Sequence, residues 1–341
     1  MKNVSTIGLD LSKHVFQANG ADKSGAVVFR KKLRRQQVLP FFATLPPCTV
    51  AMEACAGSHY WGREIGKLGH SIKLIAPAYV KPFVKRQKND ASDAEAISEA
   101  AQRPTMRFVS VKSEEAQAAA IVFRTRDLLV RQRTQTINAL RGHLAEFGMI
   151  IAKGPQHLSK LIAMVGDPTS HLPEAARSIL ALLVEQLRAL EERVTRLDRE
   201  IAGRAKEDKV ARRLMTIPGI GVVTAVALAA LAPSPETFKR GRDFAAWLGL
   251  TPLQRSTGGK ERLGRTSRMG ERTLRRLLII GASSVAAWTA RKGALAGSWL
   301  DRMLRRKPPM LVRVALANKM ARVAWALLAN GGVYRTPIVA A

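Results

Sequence analysis

The sequence predicts an α/β N-terminal domain with a mixed sheet and helices over residues 1–110. A long helical or coiled-coil middle follows over 111–209, and then a mainly α C-terminal domain over 210–341. Three observations carry that prediction. Short β-rich runs alternate with helix-length segments in the first 110 residues. Aliphatic residues recur at spacings of three and four between Leu180 and Ile201. The last third combines apolar helical stretches with dense positive charge, as a folded domain with a charged face does.

Taken in order, Val4 to Leu9 (VSTIGL) is a short β-rich run ending at Asp10. His14–Asn19 and Ala26–Leu33 flank the turn signal Asp22-Lys-Ser-Gly25, which predicts a hairpin or three-stranded meander. Thr49–Glu53 (TVAME) is another strand that ends on an acid. His59–Leu68 fits a helix, Ser71–Ile75 a strand and Asp90–Ala101 a helix. Residues 114–147 read as one long helix bearing Arg124, Arg126, Arg131, Arg133 and Arg141. In 176–207, Leu180, Leu183, Leu187, Leu190, Val194, Leu197 and Ile201 form a heptad seam between charged positions. That seam suits a coiled coil or helical hairpin, and equally a helix packed inside its own domain. Leu214-Met-Thr-Ile-Pro-Gly-Ile-Gly221 then turns into an apolar helix, Val222–Leu231. Backbone N–H groups at Gly219 and Gly221 can hold a phosphate there, as in a helix-hairpin-helix motif; a tight interhelical turn without a ligand is the other reading.

Composition narrows the function. The chain has 341 residues and is 47% hydrophobic, enough for sizeable cores and too apolar for a disordered chain. Two cysteines, Cys48 and Cys55, exclude a disulfide scaffold and a four-cysteine zinc site. No secretory signal opens the sequence, and the apolar run from Val222 is too short to span a bilayer, so a soluble cytoplasmic protein without a membrane partner is expected. The formal net charge is +30, which points to a polyanion and first to nucleic acid, with nucleoid association as the corollary. Residues 210–341 carry 23 basic and 5 acidic side chains, against 16 and 13 in residues 111–209. With 18 aromatic residues in all, phosphate contacts by arginine are a better expectation than base stacking.

Two constellations carry chemistry. Asp10 and Glu53 each end a strand, and Asp90 and Asp93 lie three residues apart on one helix face. Four carboxylates from neighbouring elements suit Mg²⁺, which prefers hard oxygen ligands, and two such ions can activate a nucleophile and stabilise the leaving oxygen in phosphodiester cleavage. Each acid alone has a plainer explanation, Asp10 as a turn residue and Asp90 as a helix cap. Their order along the chain is the ribonuclease H-like nuclease pattern. Asp22 belongs to its turn, Glu64 lies helical turns beyond Glu53, and Glu95 and Glu99 are expected to face solvent.

The second constellation is Ser256, in a small and flexible Ser-Thr-Gly-Gly loop among Arg255, Lys260, Arg262, Arg265 and Arg268. From Arg255 to Arg276 there are eight basic residues and two acids. A serine there can attack phosphorus and form a covalent phosphoserine, or can simply hydrogen-bond a phosphate. No His–Asp partner lies nearby in sequence, and Thr257 and Ser267 are rival hydroxyls.

With these motifs in view, the chain resembles transposases of the insertion-sequence 110 family, 1111 subgroup. GLDLSK, AMEACAGSHYW and KNDASDAEAI resemble that family's Holliday-junction-resolvase-like domain, and TIPGIGVVTA with LGLTPLQRSTGGKERLGRTSRMGERTLRRLL resembles its serine domain. The resemblance covers nearly the whole chain. It implies that Asp10, Glu53, Asp90 and Asp93 are the catalytic, Mg²⁺-holding acids and Ser256 the nucleophile. One departure is Leu263-Gly-Arg-Thr-Ser-Arg-Met-Gly-Glu271, where the family reads nearer to LGxISKxGD. The implied function is site-specific DNA recombination that moves an insertion sequence, guided by a structured RNA made from the element's own end. The implied partners are DNA at the element ends and target, that RNA, and further copies of the chain in a homodimer or tetramer, with the heptad as a contact. A Mg²⁺-dependent junction-resolving nuclease, whose C-terminal domain only binds nucleic acid, is the alternative.

Overall fold

The structure is a computed structural model that describes residues 3–85, 90–293 and 297–335, with the backbone alone at Asp90. It divides into two compact units, Met1–Gln117 and Ala118–Ala341.

The first unit is built on a six-stranded mixed sheet in the order β3-β2-β1-β4-β5-β6. The strands are β1 (Thr6–Asp10), β2 (Val15–Ala21), β3 (Val27–Arg34), β4 (Thr49–Glu53), β5 (Ser71–Ile75) and β6 (Phe108–Val109). The first three form an antiparallel meander around the predicted Asp22–Gly25 turn. β4 and β5 run parallel to β1, and β6 returns antiparallel on β5. Helices α1 (Val38–Ala43), α2 (Ser58–Lys67), α3 (Pro77–Val80) and α4 (Asp90–Ala101) complete the unit.

β1 and β4 are apolar on both faces because both are covered, as parallel central strands require. Ile7, Leu9, Val50 and Met52 share a core with Phe41, Phe42, Trp61 and Ile65 of α1 and α2. Ala51 and Ile75 look the other way, onto Ala96, Ile97 and Ala100 of α4. The edge strand β3 exposes Arg30, Lys31, Lys32 and Arg34, and such charges discourage edge-to-edge pairing.

α5 (Glu114–Glu146) begins in the first unit and leads into the second. There follow α6 (Leu158–Gly166), α7 (Glu174–Glu207), α8 (Lys209–Leu214), α9 (Val222–Leu231) and α10 (Gly241–Trp247). A short hairpin, β7 (Pro252–Gln254) and β8 (Leu263–Thr266), precedes α11 (Arg272–Lys292), α12 (Trp299–Arg306) and α13 (Pro309–Asn330).

The heptad lies on α7, and the same chain fills its seam. Leu180, Val184 and Leu187 share a buried cluster with Leu140 and Leu144 of α5 and with Leu161 and Val165 of α6. Further along, Ile201 and Ala205 join Phe123 of α5 and the core of α8, α9, α11 and α13. Arg126 of α5 pairs with Asp198 of α7 at 2.5 Å. The seam therefore packs inside its own unit, and an oligomer contact through these leucines would have to displace α5 and α6.

Candidate active site

Leu9 pairs with Met52 in parallel register, so the next residues on the two strands, Asp10 and Glu53, end side by side at the carboxyl edge of the sheet. Both are half-buried. α4 lies directly on β1 because Gly8 has no side chain: a Cβ there would stand 2.1 Å from the Ala94 carbonyl oxygen. The far end of α4 reaches the Asp22–Gly25 turn, where Gln102 Oε1 would lie 3.6 Å from a Cβ at Gly25. That turn follows Ala21, which pairs with Thr6 at the start of β1. α4 thus runs antiparallel to β1, and its first turn, with Asp90 and Asp93, lies toward the edge that holds Asp10 and Glu53. Asp93 is half-buried and precedes the sheet-facing Ala96, Ile97 and Ala100 by three, four and seven residues, which puts it on the same stripe. The side chain of Asp90 lies outside the described residues.

Cys55, two residues past Glu53, is exposed, and its thiol titrates above the usual range. Partial burial is the main cause, and the carboxylates of Glu53 and Asp10 add to it, so the thiol senses both acids. Among the described residues, no group of three or more His, Cys, Asp or Glu side chains gathers as a metal ion would require. Asp10 and Glu53 are brought together as neighbouring strand ends, Asp93 toward the same edge.

Glu95 departs from its expected solvent-facing role. Its carboxylate binds Lys85 at 2.5 Å and Arg30 of β3 at 2.8 Å. The bond to Lys85 is the main cause of its lowered pKa, with the charge of Arg30 contributing. Helical periodicity could place Glu95 on α4 but could not show that β3 and residue 85 come within reach.

Ser256 stands near the tip of the β7–β8 hairpin, where sequence reading expected a loose loop. Gly258 and Gly259, at φ +56° and +75°, form a two-residue turn closed by a bridge between Thr257 and Lys260. A left-handed pair of this kind is the turn whose twist matches a tight hairpin, and glycine adopts it without strain. Arg255 N–H donates to the Arg262 carbonyl at 2.8 Å. The Ser256 hydroxyl is exposed; it accepts the Arg262 N–H at 3.1 Å and donates to Gln254 Oε1 at 3.0 Å. Arg255, Lys260, Arg262, Arg265 and Arg268 are all exposed, and none joins an ion pair among the described residues. Ser267 Oγ is buried without a hydrogen-bond partner, which removes it as a rival nucleophile.

Comparisons with known proteins match two stretches of the chain. A family model described as "Transposase IS116/IS110/IS902 family" matches residues 211–295, and the DEDD transposase model of IS110 matches residues 7–149. The probable family 20 transposase of Pseudomonas aeruginosa is 48% identical over 335 residues, covering 98% of this chain and 99% of that protein. The transposase for insertion sequence element IS1328 of Yersinia enterocolitica is 41% identical, over 98% and 99% of the two chains. The transposase for insertion sequence element IS1111A of Coxiella burnetii is 36% identical, over 98% and 92%. The chain belongs to the IS116/IS110/IS902 transposase family.

In this transposase, the first matched region contains Asp10, Glu53, Asp90 and Asp93, and the second contains Ser256 and its basic neighbours. DNA is the transposase's substrate. No described helix is long and apolar enough to cross a membrane.

The hairpin of the transposase rises from a stiff base that the sequence did not reveal. A Cβ at Gly249 would stand 2.3 Å from the Met269 carbonyl oxygen, and one at Gly270 1.7 Å from that of Trp247. Between them Arg268 holds φ +55°, the sole described non-glycine residue with a positive φ. The Arg275 guanidinium ties together the segments that enter and leave the hairpin, donating to the carbonyls of Leu248 at 3.0 Å and Met269 at 2.6 Å. Burial, then the nearby Arg272, lowers its pKa. Arg276 pairs with Asp127 of α5. Of the eight basic residues from Arg255 to Arg276, these two are thus engaged by groups of the protein itself. Gly219 also has a packing role: its φ is +85°, and its carbonyl oxygen lies 2.0 Å from where a Cβ of Gly281 on α11 would be. Gly221 is exposed and precedes α9 without a side-chain cap.

Proposed function

We propose that this transposase cleaves and rejoins DNA site-specifically with two chemical devices, a ribonuclease H-like acidic site and a serine nucleophile. The observation that carries the reading is the side-by-side ending of Asp10 and Glu53 beneath the first turn of α4. Asp10, Glu53, Asp90 and Asp93 would hold Mg²⁺; the donors are all hard carboxylate oxygens, which suits that ion. Bound there, the ion would supply Lewis acidity and neutralise phosphate charge.

Ser256 Oγ attacks phosphorus, forming the Oγ–P bond as a P–O bond to the sugar breaks. The proton that serine loses is matched by the one the departing sugar hydroxyl gains, so the step needs no redox partner. Rejoining reverses it with a different strand. Arg255, Lys260, Arg262, Arg265 and Arg268 line the exposed hairpin and hold the backbone phosphates, and the N–H of Gly221 ahead of α9 holds another. A structured RNA transcribed from the element's end guides the choice of site; the +30 net charge accommodates a second polyanion. The acids and the serine come from different copies in a homodimer or tetramer.

A junction-resolving nuclease that uses only the acidic site is the second reading. It is favoured by one observation: the two hydrogen-bond partners of Ser256, an amide and a backbone N–H, are not bases.

A trapping assay separates the two. The protein is incubated with Mg²⁺, labelled DNA carrying the joined element ends, and RNA transcribed from the element end, then run on a denaturing gel. The proposal expects a covalent protein–DNA band that is lost in both Ser256→Ala and Asp10→Ala. Cleavage that persists in Ser256→Ala supports the nuclease, and full activity of Asp10→Ala removes the acidic site from the mechanism.

A further inference from the structure

We propose that Gln254 is a positioning residue for Ser256, aiming the hydroxyl by accepting its proton in a hydrogen bond; the inference rests on the reading of Ser256 as the nucleophile. The hairpin departs from a regular ladder at this point. In an antiparallel ladder every second opposed pair exchanges two backbone bonds; Thr257 and Lys260 do so, and Arg255 and Arg262, two positions on, are the next such pair. Arg255 N–H does donate to the Arg262 carbonyl at 2.8 Å, but Arg262 N–H goes to Ser256 Oγ at 3.1 Å. One side chain has taken the place of a backbone acceptor.

That diversion decides the state of the hydroxyl. A serine hydroxyl has one proton to give and lone pairs to accept with. The Arg262 N–H occupies one lone pair, and the proton points to Gln254 Oε1 at 3.0 Å. The remaining lone pair is the one left to meet a phosphorus atom. Gln254 can serve because it is two residues before Ser256, and alternate residues of a strand share a face. The Gly258–Gly259 turn fixes the register that brings Arg262 opposite.

Without these two bonds, an exposed serine would turn among three staggered rotamers. Holding it in one orients the nucleophile before DNA arrives, the kind of contribution that geometry makes to rate rather than to affinity. An amide carbonyl is too weak a base to remove the proton, so Gln254 does not become protonated in the step. The Arg262 N–H stabilises the negative charge that grows on Oγ as its proton leaves.

The test uses the full-length protein, Mg²⁺, labelled duplex carrying the joined element ends, and RNA transcribed from the element end. Single-turnover formation of the covalent adduct and DNA affinity are measured separately. Gln254→Leu keeps most of the side chain's bulk, one atom shorter, and loses the acceptor; Gln254→Ala loses both. Each is expected to slow adduct formation by about tenfold with an unchanged Kd for DNA, as misorientation of a reacting group does. Gln254 is exposed, so both variants should melt with the wild type. A wild-type rate in Gln254→Leu overturns the positioning role, and slowing accounted for by weaker DNA binding overturns it in favour of a phosphate contact. Cleavage that persists in Ser256→Ala shows instead that the serine reading itself has failed, and the positioning role falls with it.

Discussion

Cys48 and Cys55 are seven residues apart and behave as different reagents. Cys48 is buried beside His70, whose Nδ1 accepts the Cys48 N–H at 3.3 Å and whose Nε2 donates to the Phe42 carbonyl at 3.0 Å. Burial pushes its thiol up to about 11. At pH 8 about one molecule in a thousand then carries the reactive thiolate, and access is closed as well. Cys55 is exposed, and although Glu53 and Asp10 disfavour its thiolate, reagent can reach it. A short treatment of the native protein with iodoacetamide at pH 8 should label one thiol per chain, at Cys55, with Cys48 following only on unfolding. Equal labelling of both in the native state would contradict the burial of Cys48. The same contrast separates the two serines of the basic segment, where Ser256 is exposed and Ser267 Oγ is enclosed. Composition treats such pairs alike; only the fold around each residue distinguishes them.

At the scale of elements, the contact between α4 and β1 positions the acids, and Gly8 permits it. Gly8→Ala places a methyl group 2.1 Å from the Ala94 carbonyl oxygen, a backbone atom that can move only with its helix. Overpacking of this kind costs about 1–3 kcal/mol. Urea titration should show that loss, and transposition should fall further than stability alone explains, because the displaced helix carries Asp90 and Asp93. Unchanged stability would mean that α4 does not lie so close. Much of this level was legible in sequence: β4, β5, α4 and α9 fall where their apolar runs and flanking turns put them. The side-by-side ending of Asp10 and Glu53 was not, since parallel pairing joins segments about forty residues apart and leaves no local mark. β6 is two residues long, too short for any alternation to register. The β7–β8 hairpin was missed because its strands are three and four residues long and too exposed to show an apolar alternation, although Gly258-Gly259 is a recognised turn signal. The heptad was legible as a seam, but spacing cannot tell whether α5 or another copy fills it.

At the scale of the whole molecule, a net charge of +30 on 341 residues sets how the transposase meets DNA. Only part of that charge is available at the serine hairpin. Of the eight basic residues from Arg255 to Arg276, Arg275 is spent on two carbonyls and Arg276 on Asp127. Arg255, Lys260, Arg262, Arg265, Arg268 and Arg272 remain exposed. Each phosphate neutralised releases condensed counterions, and for duplex DNA log affinity falls with log salt by about 0.9 for each contact. If all six engage, the slope is about −5 from this segment alone. Affinities measured between 50 and 200 mM salt give the value directly. Changing Arg255, Lys260 and Arg262 together to Gln should flatten the slope by roughly 3 and weaken binding to unrelated sequences as much as to the element's ends. The opposite result, a lost preference for the element ends with an unchanged slope, would assign these three side chains to base edges rather than to phosphates. Arg275→Gln should behave differently from the triple variant, loosening the hairpin's base and lowering stability while leaving the slope nearly unchanged, because its guanidinium is half-buried and engaged by two backbone carbonyls.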